Sequence, residues 1–280
     1  MTRPVLVEKP LQLSTIEWAG TGPVTLLLAH ATGFNKLVWR PMVDALHREG
    51  FGGRIVSFDF RSHGTSPKLD DHAWSHFAGD VTEALSAIEG PVVGVGHSMG
   101  GAALLRSALD NPGHFVGQVL VEPIIFPPFQ FDGDDHPLVL GAARRRREFG
   151  TPGEAVANFA AKTVFAKWDP DALAAYIEGG LVPEGERWVL ACEPADEAAT
   201  FRASGSDGVF DRLAEVAIPV WLVVGADTDT YPPGYADVLL DRMAGSRLVT
   251  VPEAGHFVPM EQPVALARVI VEATSRFLSD

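Results

Sequence analysis

Cysteine is almost missing from this chain. Cys192 stands alone, so no internal disulfide can form, and a reducing, cytoplasmic setting is expected. Basic residues are also scarce. Lys and Arg number 22 against 36 Asp and Glu, for a net charge of −14. That balance removes the basic footprint a nucleic-acid partner requires. It favours a monomer or small homo-oligomer acting on a small molecule. No apolar run nears the roughly 18 residues of a membrane span, so no membrane partner is expected. Met1-Thr-Arg-Pro-Val5 has no signal-peptide core. Internal repeats and low-complexity tracts are missing too. His72 and His76 have ligand-like spacing, but they lack the H-E-x-x-H pattern and a third ligand. They read as polar surface, and neither metal nor cofactor is expected.

What the chain does have is apolar material, 46% of its 280 residues, enough for one large core. Its organising stretch is Gly96-His97-Ser98-Met99-Gly100. The apolar run Pro91–Val95 precedes it, and the helix-like run Gly101–Leu109 follows. This is G-x-S-x-G between a strand and a helix. Such a turn is strained, and bulk two residues either side of the serine would collide with it. The first two glycines of a dinucleotide motif are present at Gly94 and Gly96. The third position is Met99, which rules that motif out where helix must pack closely on strand.

Around this point the chain alternates strand and helix. Residues 4–18, with Val5, Val7, Leu11, Leu13 and Ile16, read as part of an edge hairpin turning at 19–23. Runs at 24–29, 54–58, 91–95, 116–121, 218–224 and 247–251 read as strands. Helical spacing marks 38–46, 77–88, 235–243 and 263–278. The fold class is therefore α/β, with a mostly parallel, doubly wound sheet. Residues 127–213 break the rhythm. They open on Pro127-Pro128 and the acidic turn Asp132–Asp135, then show helical patches near 138–149, 153–165, 170–178 and 195–202, with no strong strand. The expected organisation is a core of 1–126 and 214–280 with a helical lid at 127–213.

A serine hydroxyl needs a base to attack at neutral pH. His256 sits after the last strand, on the sheet edge where Ser98 emerges. An oxyanion needs two main-chain donors. Met99 supplies one by position. Phe34, beside the permissive Gly33, is the choice for the other, with Thr32 and Asn35 as alternatives. His97 is read as packing beneath the turn, and Arg61 and His63 as bracing their own loop.

Four pieces together, Thr32–Asn35, Asp59–Ser66, Gly96–Gly101 and Ala254–Phe257, make the chain resemble the α/β-hydrolase superfamily over nearly its full length. The resemblance implies a Ser-His-acid triad. Its usual acid position, on the loop after the post-insertion strand, holds Thr228, flanked by Asp227 and Asp229. The superfamily's other acid position, at the end of the strand after the serine helix, holds Glu122. That placement resembles the haloalkane dehalogenases and zearalenone-type lactone hydrolases. Glu122 is favoured, with Asp229 and Asp227 as alternatives. A serine nucleophile separates this chain from the dehalogenases and epoxide hydrolases, which use aspartate there.

In the expected lid, Arg144–Arg147 is the one strongly basic cluster. On a helix, Arg144 and Arg147 would share a face. A solvated helix face paired with the acidic excess is the reading, and the alternative is that one of these arginines, with Arg144 as the candidate, points into the pocket and binds a substrate carboxylate. Trp39, Phe126, Phe129, Phe159, Phe165 and Trp168 are candidates to line an apolar pocket. The expected activity is hydrolysis of a carboxylic ester or lactone. Alternatives are C–C bond hydrolysis, cofactor-free peracid formation, or a hydrolase-shaped small-molecule receptor. A fluorophosphonate probe should label Ser98 and no other serine, with labelling lost in Ser98→Ala and His256→Ala; peptide mapping of the adduct checks this.

Overall fold

The computed structural model describes residues 12–127, 135–204 and 208–279. The first strand, β1 (Thr15–Trp18), lies at the sheet edge. It pairs antiparallel with β3 (Arg54–Phe58), not with β2 (Thr25–Ala29), its neighbour in sequence. The expected hairpin is therefore not a paired one, and residues 4–11 of that stretch lie outside the described residues. Between β2 and β3 runs α1 (Arg40–Arg48). The chain continues through α2 (Trp74–Leu85), β4 (Val92–His97), α3 (Met99–Asp110) and β5 (Gly117–Val121).

The segment between β5 and the next strand of this sheet holds α4 (Pro137–Ala143), β6 (Glu148–Phe149), α5 (Pro152–Ala160) and α6 (Pro170–Gly180). It continues with β7 (Leu181–Glu184), β8 (Arg187–Leu190) and α7 (Pro194–Arg202). The large sheet resumes at β9 (Val220–Gly225), followed by α8 (Tyr235–Leu240), β10 (Arg247–Val251), α9 (Val258–Glu261) and α10 (Pro263–Phe277).

Seven strands run in the order β1-β3-β2-β4-β5-β9-β10, all parallel except β1. Alternate side chains feed two cores. Leu26, Leu28, Val93, Val95, Val119, Val121 and Val223 meet Met42 and Leu46 of α1 and Leu266 and Ile270 of α10. Leu27, Ala29, Leu120, Leu222 and Val224 meet Phe77 and Val81 of α2, Ala102 and Leu105 of α3, and Leu239 of α8. Burial on both faces is why these strands read as continuous apolar runs rather than as alternation.

The inserted segment, expected to be mainly helical with no strong strand, also holds three strands. Strands β6, β8 and β7 form a small antiparallel sheet in that order. Pro183 and the flanking charges disguise β7 in the sequence. As an edge strand, β7 tolerates a proline that contributes no ladder N–H. The helix expected at 138–149 stops at Ala143. Arg144 to Arg147 therefore share no helix face. Tertiary ion pairs outweigh helix spacing there, with Arg147 held by Glu184 and Glu193, and Arg146 by Glu154. The acidic turn, apart from Asp135, and Phe129 lie outside the described residues.

The tightest backbone approach lies beneath the serine turn. A Cβ on Gly100 would overlap the carbonyl of Ala29, and one on Gly96 would come within 2.7 Å of the Gly100 and Gly101 backbone. Gly100→Ala should lower unfolding free energy by about 1–3 kcal/mol or more, because backbone on both sides resists the added methyl. Gly141→Ala, in open space on α4, should be neutral or stabilising by up to about 1 kcal/mol. Urea titration of both variants checks the contrast.

Candidate active site

Register brings the site together. In the central strands His97 pairs with Val121, and Val121 with Val223. The residues that follow, Ser98 and Glu122, therefore emerge level at the carboxyl edge of the sheet. Ser98 has φ 55 and ψ −118, the strained turn expected of G-x-S-x-G. Its amide donates to Val121 O (2.9 Å) and its carbonyl accepts from Ile124 N (3.3 Å), which ties the turn to the end of β5. Ser98 Oγ makes no hydrogen bond to a described residue. Together with His256 it lines a cavity of about 750 Å³.

His256 lies on the loop between β10 and α9. Its Nδ1 is 2.9 Å from Thr230 Oγ1 and 3.4 Å from Glu122 Oε2. The His256 carbonyl accepts from His97 Nε2 at 2.9 Å. Burial pushes the His97 pKa well down, so its ring stays neutral and braces the histidine loop from below. His97 thus sits under the turn, as its neighbours in the sequence suggested.

Glu122 is wholly buried. Its Oε1 accepts from Gly225 N and its Oε2 from Thr228 Oγ1, both at 2.8 Å. The side chain therefore crosses from the end of β5 to the end of β9. Pro123 would bias its predecessor towards extended backbone. Glu122 instead has φ 47, a left-handed value that costs about 1–3 kcal/mol in a non-glycine residue. The reason is tertiary. Tyr231 Oη donates to the Pro123 carbonyl, and Tyr235 Oη donates to Ile125 O at 2.8 Å, so the chain is held through its bend. Asp227 is exposed and paired with Lys167 (2.9 Å), while Asp229 is exposed at the cavity wall. Neither bonds to His256.

The amides near Ser98 divide clearly. Met99 opens α3, so its N–H has no helical acceptor. The Phe34 amide is already used, donating to Ala31 O at 3.1 Å to close a turn. This displaces Phe34 as an oxyanion donor. The Asn35 side chain is also engaged, with Tyr176 O and Leu37 N. Thr32 lines the cavity beside Ser98, and its amide makes no bond to a described residue. Its hydroxyl rests on Met99 Sδ at 3.3 Å.

Of the aromatic candidates, Phe126, Phe159, Phe165 and Trp168 line the cavity. Trp39 does not. It is completely buried in the core beside α1, because its neighbours pack inward against the sheet. Arg144 is exposed and does not line the Ser98 cavity, whereas Arg145 does. Arg145 is ion-paired with Glu197 and donates to Tyr176 Oη. Gly33 leaves room for this pair, since a Cβ there would lie 2.8 Å from the Glu197 carboxyl carbon. Arg61 bonds Asp80, and His63 Nδ1 lies 3.0 Å from the Arg61 carbonyl, so both brace their loop. His72 and His76 face Asp196 and Asp71. Trp74 begins α2, so His76 lies in that helix and His72 precedes it. Among the described residues no group of three His, Cys, Asp or Glu is placed to hold a metal ion. No helix of the described residues is long and apolar enough to cross a membrane.

Sequence reasoning missed Thr230, Glu197 and Lys162. It reached Arg145 only as one of four successive arginines, and Thr228 only as the place where an acid was absent.

Known proteins resemble this chain in sequence or in fold. Lipase LipV of Mycobacterium tuberculosis is 26% identical over 268 residues, covering 93% of this chain and 97% of that protein. The crystal structure of E-2-(acetamidomethylene)succinate hydrolase matches with a TM-score of 0.78 at 22% identity, over 96% of this chain and 95% of that one. The enol-lactonase from Burkholderia xenovorans LB400 matches with a TM-score of 0.72 at 18% identity, over 96% of each chain. The sequence profile of the alpha/beta hydrolase family matches residues 26–269, from β2 into α10. That match covers far more than half of the sequence and runs across the parallel strands of the large sheet, and the chain belongs to the alpha/beta hydrolase family of enzymes.

Proposed function

We propose that this enzyme hydrolyses a carboxylic ester or lactone through an acyl-enzyme on Ser98. The observation that carries the proposal is the placing of His256. Its ring shares the Ser98 cavity, while its Nδ1 faces Glu122 and Thr230. Ser98 Oγ attacks the carbonyl carbon and its proton passes to His256 Nε2. The tetrahedral oxyanion is received by the amides of Met99 and Thr32 at the positive end of α3. Nε2 then protonates the leaving oxygen. Water, deprotonated by the same nitrogen, cleaves the acyl-enzyme.

Glu122 is the proposed acid. The imidazolium formed in each half-reaction donates from Nδ1, and a buried carboxylate beside it stabilises that charge. Thr228, at the acid position common in the family, then has a supporting task, donating its hydroxyl to Glu122 Oε2. Thr230 shares Nδ1 with Glu122, and the imidazole would shift towards the carboxylate as charge develops. Residues 127–213 are proposed as a cap over the site, because α4, α5, α6 and α7 each contribute cavity residues. The names of a related lipase and a similarly folded enol-lactonase agree with ester or lactone chemistry.

Hydrolysis of p-nitrophenyl acetate and of a panel of lactones, compared with Ser98→Ala, tests the reading. Turnover that survives Ser98→Ala would exclude it, and no turnover by either protein would favour a receptor. Glu122→Gln should reduce kcat by about 10⁴-fold, while Asp227→Asn and Asp229→Asn should cost about tenfold or less. Thr228→Val removes one hydrogen bond to the carboxylate and should cost about ten- to a hundredfold. Steady-state kinetics with one activated ester ranks all four.

A further inference from the structure

Charge inside the cavity is unevenly matched. Three of the four lysines among the described residues have carboxylate partners: Lys36 with Asp59, Lys68 with Asp196, and Lys167 with Asp227. Lys162, just beyond α5, is the exception. It lines the cavity, and among the described residues its ammonium makes neither a hydrogen bond nor an ion pair. It lies over the Phe159 ring, 4.5 Å from the centroid. In a chain with 36 acidic side chains, a cation facing a cavity without a partner is unusual.

The neighbouring charges do not neutralise it. Glu197 is committed to Arg145, and that guanidinium is also fixed by Tyr176. The group Arg145, Glu197 and Lys162 therefore carries one net positive charge. Burial, and next the Arg145 charge, push the Lys162 pKa down. An anion arriving there would relieve both effects. Asp229 is the other carboxylate on the cavity wall, and it belongs to the loop after β9 that also carries Thr230.

An apolar wall links this cation to the histidine. Ring contacts run from His256 to Phe257 (5.2 Å), Trp168 (5.5 Å), Phe165 (4.7 Å) and Phe159 (5.3 Å), and end under the Lys162 ammonium. Such a wall suits a hydrocarbon spacer with no polar group of its own.

We infer that the Lys162 ammonium, flanked by Arg145, is a subsite for a substrate carboxylate, so that the preferred substrate is an ester or lactone bearing a carboxylate on an apolar spacer. This rests on the Ser98 reading above for where the carbonyl sits. It moves the anion contact from the candidate Arg144 to the cavity itself. Lysine binds as a point charge with three rotatable donors, which tolerates more than one spacer length.

Two measurements separate this inference from the reading beneath it. The first needs no catalysis. In the Ser98→Ala protein, p-nitrophenyl hydrogen succinate, adipate and suberate are titrated calorimetrically against the neutral p-nitrophenyl ester of matched length. At least one hemi-ester should bind more tightly than its neutral match, and Lys162→Met in the same background should erase that preference, by about ten- to a hundredfold. The second is kinetic. In the protein with Ser98 intact, the kcat/KM ratio of hemi-ester to neutral ester should fall by a similar factor in Lys162→Met, mostly through KM. Lys162→Arg should keep much of the ratio, and added salt should lower it in the parent protein. A ratio unmoved by Lys162→Met at every spacer length, or no binding preference in the Ser98→Ala protein, would overturn the subsite. Turnover persisting in Ser98→Ala would overturn only the nucleophile.

Discussion

The rest of the site depends on one buried carboxylate. Glu122 has no exposed surface and no basic side chain bonded to it other than the imidazole of His256. Its oxygens are satisfied by a backbone amide, a threonine hydroxyl and the region of His256 Nδ1. Burying such a group without partners would be prohibitive, so each partner must be held in place. Gly225 supplies its amide at the end of β9. A Cβ there would meet the carbonyls of Ala254 and Gly255, on the loop that carries His256. One side chain from β5 thus fixes the relative positions of three loop segments.

That constraint explains where strain is accepted. Ser98 and Glu122 both have positive φ, and both stand just past the ends of neighbouring parallel strands. Each bend turns a side chain off the sheet plane and across its edge. The costs are offset by contacts that relax only if the whole edge moves: Gly100 against Ala29, Tyr231 on Pro123, and His97 beneath the His256 carbonyl. A preorganised edge of this kind is what the proposed mechanism requires, since catalytic dipoles act best when they need not reorient.

The insertion works by a different rule. Its polar groups are joined by ion pairs between side chains far apart in sequence, such as Arg145 with Glu197 and Arg147 with Glu193. Its apolar residues extend the core around α1 through Phe149, Phe159 and Tyr176. Among the described residues, Lys162 lines the cavity with neither a hydrogen-bond nor an ion-pair partner.

Much was legible in the sequence because its causes are local. Continuous apolar runs require strands buried on both faces, and G-x-S-x-G between strand and helix requires the sharp turn at Ser98. A histidine after the last strand must emerge on the same sheet edge. Those rules concern residues close in the chain, or the topology that parallel strands impose. They carried the α/β class, the parallel sheet and the placing of Ser98 and His256 on one edge, while Glu122 rested on the family resemblance, with Asp229 and Asp227 open beside it. Tertiary structure alone decided the rest, because the rest depends on who meets whom across the molecule. Trp39 lies inside the core and not in the cavity. The Phe34 amide is consumed by a turn that no spacing revealed. Four successive arginines have different environments because their partners come from β7, α5, α7 and the α7 N-cap, and Arg144 alone faces solvent unpaired. Thr228 looked like a missing acid, but across the sheet edge its hydroxyl reaches a carboxylate more than a hundred residues earlier in the chain.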